Sequence, residues 1–553
     1  MKIKECVKWL WVSSRGYRGF ILCCAAAGVL HVGVSLFAVY VSKHLIDIVT
    51  GEVAGNLEVY IGWMIACIVL QLGLSVARSR MASRTEIRLR NELRRELFVH
   101  LMGSCWTGRE KLHTGDVLNR MEEDVMTVTD ALCRTMPAVL VTVVQLAGAL
   151  YFLSELDMRL AGIVLFIMPV ALLFSKSYVR RMRQMSRDIR DTDSRIQSHL
   201  QEHFQHRILI RTLEYTSQAV EKLVGWQSLL QQKVMERTDF SIFSRSMVQL
   251  GFATGYAVAF LWGIFGLRDG TVTFGMMTAF LQLVAQVQRP MVDFSRQIPS
   301  FIRVFTSAER LAELKAQPLE QQGEPVCLAG VLGIKVEDLS FSYPDAGHRV
   351  LSGFSHNFLP GSLTAIVGET GAGKSTLVRL LLGLLLPEEG KICLYNARQQ
   401  AEASPLTRCN LSYVPQGNTL VSGSIRENLL MGNPQATEEE LHAALHTAVA
   451  DFVFALPDGL NTRCGEQGSG LSEGQAQRIA IARGLLRPGS ILVLDEPTSS
   501  LDNETEHLLL ERLSSQVEGK TLILVTHRET IARLCSSVVH IRKISKDGGQ
   551  TSA

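Results

Sequence analysis

The chain of 553 residues is longer than a single hydrophobic core usually organises, so its length predicts two or more domains. Its 56 Lys and Arg residues nearly balance its 53 Asp and Glu residues, which gives a formal net charge of +3. Because nucleic-acid-binding domains usually carry a concentrated basic excess, this balance argues against a nucleic-acid partner.

The first part of the chain has the pattern of a membrane protein. Residues 1–18 predict a helix on the cytoplasmic membrane surface, since Trp9 and Trp11 stand among lysines. The next segment, 20–42, contains no Asp, Glu, Lys or Arg and exceeds the length needed to cross ~30 Å of hydrocarbon at about 1.5 Å per residue. A secretory signal peptide is the alternative for this segment, but its apolar region would be shorter, and comparable segments follow in this chain. Five further spans are predicted at 57–77, 135–153, 160–175, 246–267 and 274–287.

Polar and basic residues predict how these spans are arranged. Gln282 and Gln286 lie one helical turn apart in the last span, so we expect their shared face to meet other helices or a polar cavity rather than lipid. Lys and Arg concentrate in the long loops 78–134 and 176–245. The positive-inside rule therefore predicts these loops and both termini on the cytoplasmic side.

The remainder of the chain has the pattern of a soluble α/β domain behind a linker. Residues 316–325 are polar and contain Pro and Gly, which is typical of an interdomain segment. The predicted divisions are a surface helix at 1–18, a membrane domain at 19–315, a linker at 316–332 and a soluble domain at 333–553. The 11 cysteines form no CxxC pair, so reduced thiols are expected rather than a zinc site or a disulfide framework.

The soluble domain contains a phosphate-binding sequence, "TAIVGETGAGKST". It satisfies GxxxxGK[ST] after an apolar strand and before a helix-forming stretch. Glycines let backbone N–H groups approach phosphates, and the helix N-terminus points at them. Lys374 is predicted to neutralise β- and γ-phosphate charge, and Ser375 to bind Mg²⁺. A Gly-rich turn without nucleotide is the alternative, which the complete strand, loop and helix context disfavours. The predicted nucleotide contacts are Gly368, Glu369, Thr370, Gly371, Ala372, Gly373, Lys374, Ser375 and Thr376.

Two further apolar strands end in residues suited to catalysis. In "ILVLDEPTSS" the strand ends in Asp495, the predicted Mg²⁺ partner, directly or through water. Glu496 follows as the candidate general base for an attacking water, with a surface acid pair as the alternative. His527 ends "TLILVTH". In isolation a structural histidine is favoured, but beside the phosphate loop His527 could sense a γ-phosphate.

The motif order "FSYP", "GETGAGKST", "YVPQ", "LSEGQ", "LVLDEPTSSLD" and "LVTH" resembles the ATP-binding cassette ATPases over residues 336–541. Six spans ahead of these motifs resemble the exporter branch, in which membrane and ATPase domains share one chain. The resemblance implies an α-helical six-span membrane domain followed by an α/β P-loop ATPase domain that uses ATP and Mg²⁺. It also implies that "HTGDVLNRMEEDV" and "LIRTLEYTSQAVEKL" are intracellular loops whose short helices dock on the ATPase.

The same resemblance assigns roles to individual residues. Tyr343 would stack on adenine, although a core aromatic on a strand is an equal alternative. Gln416 would reach Mg²⁺ and the attacking water, which gives a metal set of Ser375, Gln416 and Asp495 and a catalytic set of Gln416, Glu496 and His527.

The "LSEGQ" segment would contact the γ-phosphate of ATP held by a second copy, through Ser472, Gly474 and Gln475. Glu473 departs from the family's LSGGQ. An acid suits a helix N-terminus but would repel a γ-phosphate, so we expect it to point away from the nucleotide.

The function implied is ATP-driven export or flipping of a lipid, drug-like or peptide substrate, through ATP-induced closure of two ATPase domains and alternating access. A second copy of the chain is the predicted partner, because Glu496 and His527 are both present. The alternatives are a heterodimer with a related half-transporter and an ATP-gated regulatory membrane protein without transport. An importer is disfavoured, because its ATPase would be a separate chain. The expected location is the cell (inner) membrane, with the ATPase domain and both termini in the cytoplasm.

Overall fold

The computed structural model describes residues 3–105, 114–156, 158–343, 348–465, 470–515, 519–528, 532 and 535–543. The chain divides into two compact units. The first comprises Met1–Phe98 with Gly115–Lys315, and the second comprises Val99–Thr114 with Ala316–Ala553.

The first unit is helical. In chain order, its helices are α1 (Ile3–Ser13), α2 (Arg18–Val49), α3 (Leu57–Met102), α4 (Thr114–Asn119), α5 (Val125–Asp130), α6 (Met136–Leu156), α7 (Met158–Gln205), α8 (Arg207–Thr212), α9 (Thr216–Arg268) and α10 (Phe274–Lys315). Two π-helical turns, Arg120–Asp124 and Ala131–Thr135, connect α4, α5 and α6 into one helical stretch. Within the described residues, four helical stretches are long and apolar enough to cross a membrane: Arg18–Val49, Leu57–Met102, Gly115–Leu156 and Thr216–Arg268.

The apolar surface of these helices explains their environment. On α3 the side chains of Ile65, Val69 and Leu72 are all more than half exposed. An apolar helix with its side chains outward and its backbone hydrogen bonds internal is the arrangement that lipid requires. The helical bundle is therefore a membrane-spanning domain.

Two of the six predicted spans do not appear among the four. The segment 160–175 lies on α7, but its side chains lie outside the described residues. The segment 274–287 lies on α10, where Phe280 and Leu283 are fully buried against α2, α6 and α9. Its polar residues make this segment less apolar than the other spans.

The two glutamines that were predicted to face other helices, Gln282 and Gln286, contact a neighbouring helix, as predicted. Gln282 Nε2 donates to Ser42 Oγ at 3.3 Å, and Gln286 Nε2 donates to Ser35 Oγ at 3.2 Å. Both serines belong to α2. Polar side chains away from water form such interhelical bonds because lipid offers no partner.

The second unit contains the strands. They are β1 (Gly333–Ser342), β2 (Arg349–Phe358), β3 (Leu363–Gly368), β4 (Glu389–Tyr395), β5 (Gln400–Glu402), β6 (Leu411–Val414), β7 (Gly423–Ser424), β8 (Arg463–Cys464), β9 (Ile491–Asp495), β10 (Thr521–Thr526) and β11 (Ser537–Ile541). Its α-helices are α11 (Lys374–Leu381), α12 (Ile425–Leu430), α13 (Glu438–Thr447), α14 (Glu473–Leu486) and α15 (Asn503–Ser514). Short 3₁₀ turns lie at Pro405–Asn410, Asp451–Ala455 and Gly459–Asn461.

A five-stranded parallel sheet in the order β11-β3-β10-β9-β6 forms the centre of this unit. All residues of β9 and β10 are buried, which explains their continuous apolar sequences. An antiparallel sheet β2-β1-β4-β5 and a β7-β8 pair complete the unit. Because β3, β10 and β9 are neighbours and parallel, the residues that follow them lie at one edge of the sheet.

Short polar residues begin four helices of this unit. The side chains of Ser424, Thr437, Ser472 and Asp502 accept hydrogen bonds from backbone N–H groups in the first turns of α12, α13, α14 and α15, respectively. Each such cap satisfies a donor that the helix leaves free.

The segment that was predicted as a linker, 316–332, belongs to the second unit and is fixed to it. Arg408 makes a two-pronged ion pair with Glu320, with N–O distances of 2.7 and 2.8 Å. The Asn410 side chain donates to Val326 O at 2.7 Å. The end of α3 joins the same unit, since the N–H of Cys105 donates to the carbonyl of Pro318 at 2.8 Å.

Glu320→Ala is expected to destabilise the second unit by about 1–3 kcal/mol, because Arg408 loses a partly buried carboxylate. Thermal unfolding in detergent would show a midpoint lowered by a few degrees. Glu324→Ala, on the same segment but exposed, is the matched control. Equal midpoints for the two variants would show that the ion pair does not stabilise the fold.

Candidate functional site

The loop between β3 and α11 has the backbone geometry of a phosphate cradle. Gly371 and Gly373 adopt φ angles of +82° and +102°, which favour glycine. A Cβ on Gly368 would lie 2.4 Å from the carbonyl oxygen of Ile541. These three glycines therefore allow the chain to turn sharply and present N–H groups at the start of α11.

Lys374 is held over this loop. Its side chain is buried, and Nζ donates to the carbonyl oxygens of Gly368 at 2.6 Å and Glu369 at 3.0 Å. The ammonium group thus lies where a phosphate in the loop would meet it. Among the other predicted contacts on the loop and first turn, Thr370 and Ser375 are exposed, whereas Ala372 and Thr376 are buried.

Tyr343 follows β1 and lies against the helix of the phosphate loop. Its hydroxyl is 3.2 Å from Thr376 Oγ1 and accepts a hydrogen bond from Arg379 at 3.2 Å. Its ring packs edge-on against Phe341, with 5.1 Å between centroids. The ring is thus anchored beside the loop, and stacking on adenine stays a prediction.

Asp495 and Glu496 follow one another at the end of β9 but differ in environment. Asp495 is buried, and this burial, with the nearby Glu496 charge, raises its pKa. The Tyr413 hydroxyl donates to Asp495 Oδ2 at 3.3 Å. Glu496 has a φ of +47°, an uncommon conformation for a residue with a side chain. This backbone turn directs the two carboxylates differently.

The three predicted catalytic residues meet at one carboxylate. Gln416 Nε2 donates to Glu496 Oε2 at 2.7 Å, and His527 Nδ1 lies 3.4 Å from Glu496 Oε1. The Glu496 side chain is 18% exposed, so water can reach it. A carboxylate held by a neutral amide and an imidazole at the phosphate-loop edge of the sheet is suited to accept a proton from water.

The predicted metal set fits Mg²⁺ by its chemistry. Ser375, Gln416 and Asp495 offer hydroxyl, amide and carboxylate oxygens, the hard donors that Mg²⁺ prefers. The contact of Gln416 with Glu496 uses the amide nitrogen, so that contact does not occupy the amide oxygen. The donor chemistry of these three residues therefore fits a magnesium ion.

The start of α14 forms a second polar surface. Ser472 Oγ accepts the N–H of Gln475 at 3.2 Å, and Gln475 Oε1 accepts the N–H of Ser472 at 3.0 Å, a capping box. The cap uses an acceptor site of Ser472, so its hydroxyl hydrogen remains able to donate to an anion. The Glu473 side chain is exposed in the first turn.

Glycine is required at position 474 because the start of α14 lies close to another segment of the chain. A Cβ there would lie 2.7 Å from the carbonyl oxygen of Ser500 and 3.1 Å from Leu501 Cδ2. The helix start therefore packs directly against the turn that follows Asp495 and Glu496.

The sequence reasoning missed two residues that contact the acids, Tyr413 and Gln477. Gln477 Nε2 donates to the backbone carbonyl of Glu496 at 2.8 Å, and its Oε1 accepts from Ser500 Oγ at 2.5 Å. The sequence contained one signal for Gln477. It is a polar residue on the apolar face of α14, where Ala480 and Ile481, one turn further on, are buried.

Comparisons with known proteins agree with this geometry. The family model described as "ABC transporter transmembrane region" matches residues 21–291, and the model described as "ABC transporter" matches residues 351–499. The "ATP-dependent lipid A-core flippase" of Bordetella avium is 30% identical over 446 residues, covering 79% of this chain and 74% of that protein.

A longer relative is the "Serine protease/ABC transporter B family protein tagA" of Dictyostelium discoideum, 28% identical over 511 residues. The match covers 91% of this chain but 29% of that protein. Among solved structures, a bacterial Atm1-family ABC exporter with ATP bound matches with a TM-score of 0.77 and 21% identity, covering 95% of this chain and 94% of that one. This last likeness shows the fold.

Proposed function

The chain belongs to the ABC transporter family, and we propose that two copies of it form an ATP-driven exporter. It is a half-transporter, with a helical membrane-spanning domain followed by an ATPase that binds and hydrolyses ATP. The proposed substrate is a lipid, a drug-like molecule or a peptide. The proposed location is the cell membrane, with the ATPase domain in the cytoplasm.

The observation that carries this proposal is the convergence of Gln416 and His527 on Glu496. A degenerate half-transporter, which depends on a partner for hydrolysis, would not need this complete catalytic set. The arrangement therefore favours a chain that supplies working sites to a copy of itself.

In the proposed reaction, Glu496 accepts a proton from the water that attacks the γ-phosphate. Gln416 and His527 hold the carboxylate in place, and Lys374 neutralises phosphate charge. Mg²⁺ held by Ser375, Asp495 and Gln416 would neutralise charge that develops on the phosphate oxygens. The start of α14 donates to the ATP of the other copy, so ATP favours the closed pair and hydrolysis removes that bias.

The tip of the α7–α9 hairpin supports a role for a second copy. Phe204, Ile208 and Leu213 are 71%, 81% and 65% exposed. Apolar side chains clustered at a loop tip beyond the predicted spans favour a protein contact. We propose that this tip packs against an ATPase domain in the dimer, and so transmits closure to the spans.

Lys374→Met is expected to weaken ATP binding by about 10–150-fold, because a charge-assisted hydrogen bond contributes ~1.5–3 kcal/mol. Binding of a fluorescent ATP analogue would measure the effect. Lys391→Met is the control, since Lys391 is an exposed lysine that pairs with Glu337 on the antiparallel sheet. Unchanged affinity in Lys374→Met would contradict the proposed role of the loop.

The whole proposal is tested with this chain alone in lipid nanodiscs. ATPase rate against ATP concentration and particle mass are recorded on the same samples, and candidate lipids, drugs and peptides are screened for stimulation. Substrates that stimulate are then tested for ATP-dependent accumulation in inside-out vesicles. Hydrolysis by a two-copy particle with accumulation supports an exporter. Monomers without hydrolysis would point to a separate partner chain, and hydrolysis without accumulation of any stimulating substrate would point to a regulator.

A further inference from the structure

Gln477 connects the start of α14 to the catalytic acids. It is 1% exposed, and both ends of its amide are hydrogen-bonded: Nε2 donates to the Glu496 carbonyl and Oε1 accepts from the Ser500 hydroxyl. A buried amide with both ends satisfied has one stable orientation, because turning it would leave polar atoms without partners.

The contact bears directly on the conformation of Glu496. The φ of +47° at this residue is strained for a residue with a side chain and persists only where neighbours hold it. On one side the Glu496 N–H donates to the carbonyl of Val525 at 2.9 Å. On the other side Gln477 holds the Glu496 carbonyl at 2.8 Å. Both peptide groups that flank the catalytic carboxylate are therefore fixed, one by β10 and one by α14.

The surface that is proposed to contact the ATP of the second copy also lies on α14. Ser472 and Gly474 lie at the start of α14, and Gln477 lies one turn later. Ser500 bonds to Gln477, and its carbonyl would touch a Cβ on Gly474. Any shift of the helix start relative to the sheet must therefore move the support of Glu496 as well.

We propose that Gln477 is a positioning residue, which holds Glu496 in its catalytic orientation and couples it to the engagement of α14 with the other copy's ATP. The inference rests on the proposed function, because it requires Glu496 to act as the base and α14 to meet ATP in a dimer. Its consequence is that occupation of one ATP site raises the hydrolytic rate at the other.

Gln477→Met tests this directly, because it retains the side-chain volume and removes both hydrogen bonds. The expected result is a kcat lowered by about 10–100-fold, the equivalent of ~1.4–2.8 kcal/mol, with the KM for ATP changed less than about threefold. The Hill coefficient for ATP is expected to fall towards one. Ser500→Ala removes one of the two bonds and should give a smaller change in the same direction.

The matched control is Ser412→Ala. Ser412 is buried and donates to the carbonyl of Gly484 near the other end of α14 at 2.7 Å, so its loss loosens that end of the helix and leaves both hydrogen bonds of Gln477 in place. A purely structural role for Gln477 would give both variants the same pattern: a lower unfolding midpoint with kcat and Hill coefficient unchanged. That result would overturn the inference. A Gln477→Met variant that fails to fold leaves the decision to Ser500→Ala, whose kcat and Hill coefficient must both fall.

Failure of the exporter proposal would give a different experimental result from failure of the Gln477 proposal. If the wild-type chain hydrolyses no ATP, the exporter proposal fails before this one is reached. If the wild type hydrolyses ATP cooperatively and Gln477→Met and Ser500→Ala both match Ser412→Ala, only the positioning role is wrong.

Discussion

Replacing Glu496 with glutamine is expected to lower the ATPase rate by about 10²–10⁴-fold, the range that a positioned general base contributes. The variant keeps the size and shape of the side chain and removes the group that accepts the proton. Its neighbours Gln416 and His527 keep their positions, so ATP binding should remain. The measurement is steady-state phosphate release in nanodiscs, beside equilibrium binding of an ATP analogue.

The variant should also accumulate in the closed, ATP-bound form. ATP favours closure by its differential binding to the two states, and without hydrolysis nothing removes that bias. Crosslinking between cysteines placed on the two ATPase domains would report the closed fraction.

Glu473→Gln is the matched control for Glu496→Gln. It removes one negative charge from an exposed acid in the first turn of α14 and leaves the cap of Ser472 and Gln475 intact. Its ATPase rate should stay within a few-fold of the wild type, because Glu473 is expected to point away from the nucleotide. If Glu496→Gln hydrolysed ATP as fast as Glu473→Gln, Glu496 would not be the base.

The layout of the candidate site could be predicted from sequence because it depends on local patterns. Apolar runs ending in Gly368, Asp495 and Thr526 are buried strands, and the carboxyl ends of parallel strands lie together. The loop glycines, the acids and His527 follow those strands directly. The meeting of His527 with Glu496 follows from this topology.

Other features depend on contacts between distant residues and were not predictable in this way. The φ of Glu496 is stabilised by Val525 and by Gln477, which no local pattern brings together. The linker was predicted from its polar composition, but its attachment through Glu320 to Arg408 joins residues far apart in the chain. Of the six predicted spans, four are found within the described residues. The last is missing because α10 mixes glutamines with residues that pack inside the bundle, and the side chains of 160–175 lie outside the described residues.

The proposal that each ATP site is built from two copies predicts a specific result with mixed dimers. Gly474→Ala places a Cβ 2.7 Å from the Ser500 carbonyl, so it should displace the start of α14. Overpacking of this kind costs about 1–3 kcal/mol, which would slow the site that α14 serves by roughly 5–150-fold. Glu496→Gln instead damages the site that binds ATP in its own copy.

The two substitutions can be combined in a mixed dimer in two ways: both on one copy, or one on each copy. With both substitutions on one copy and none on the other, each ATP site of the dimer carries one defect, so the remaining hydrolysis should come from the site that Gly474→Ala slows by roughly 5–150-fold. With one substitution on each copy, both defects fall on the same site. The other site keeps its Glu496 and an unaltered α14 from the other copy, so it loses only what the displaced helix start costs through Gln477. This second dimer should hydrolyse ATP faster than the first.

Mixed dimers are obtained by co-expressing two differently tagged copies and purifying on both tags in succession, and their ATPase rates are compared at saturating ATP. Both dimers contain the same residues in the same number, so expression, stability and total charge are matched. If each chain built a complete site by itself, the rates would be ordered in reverse: the dimer with one undamaged copy would be the active one. The order of the two rates therefore decides whether Ser472 and Gly474 serve the chain's own ATP or the ATP of its partner.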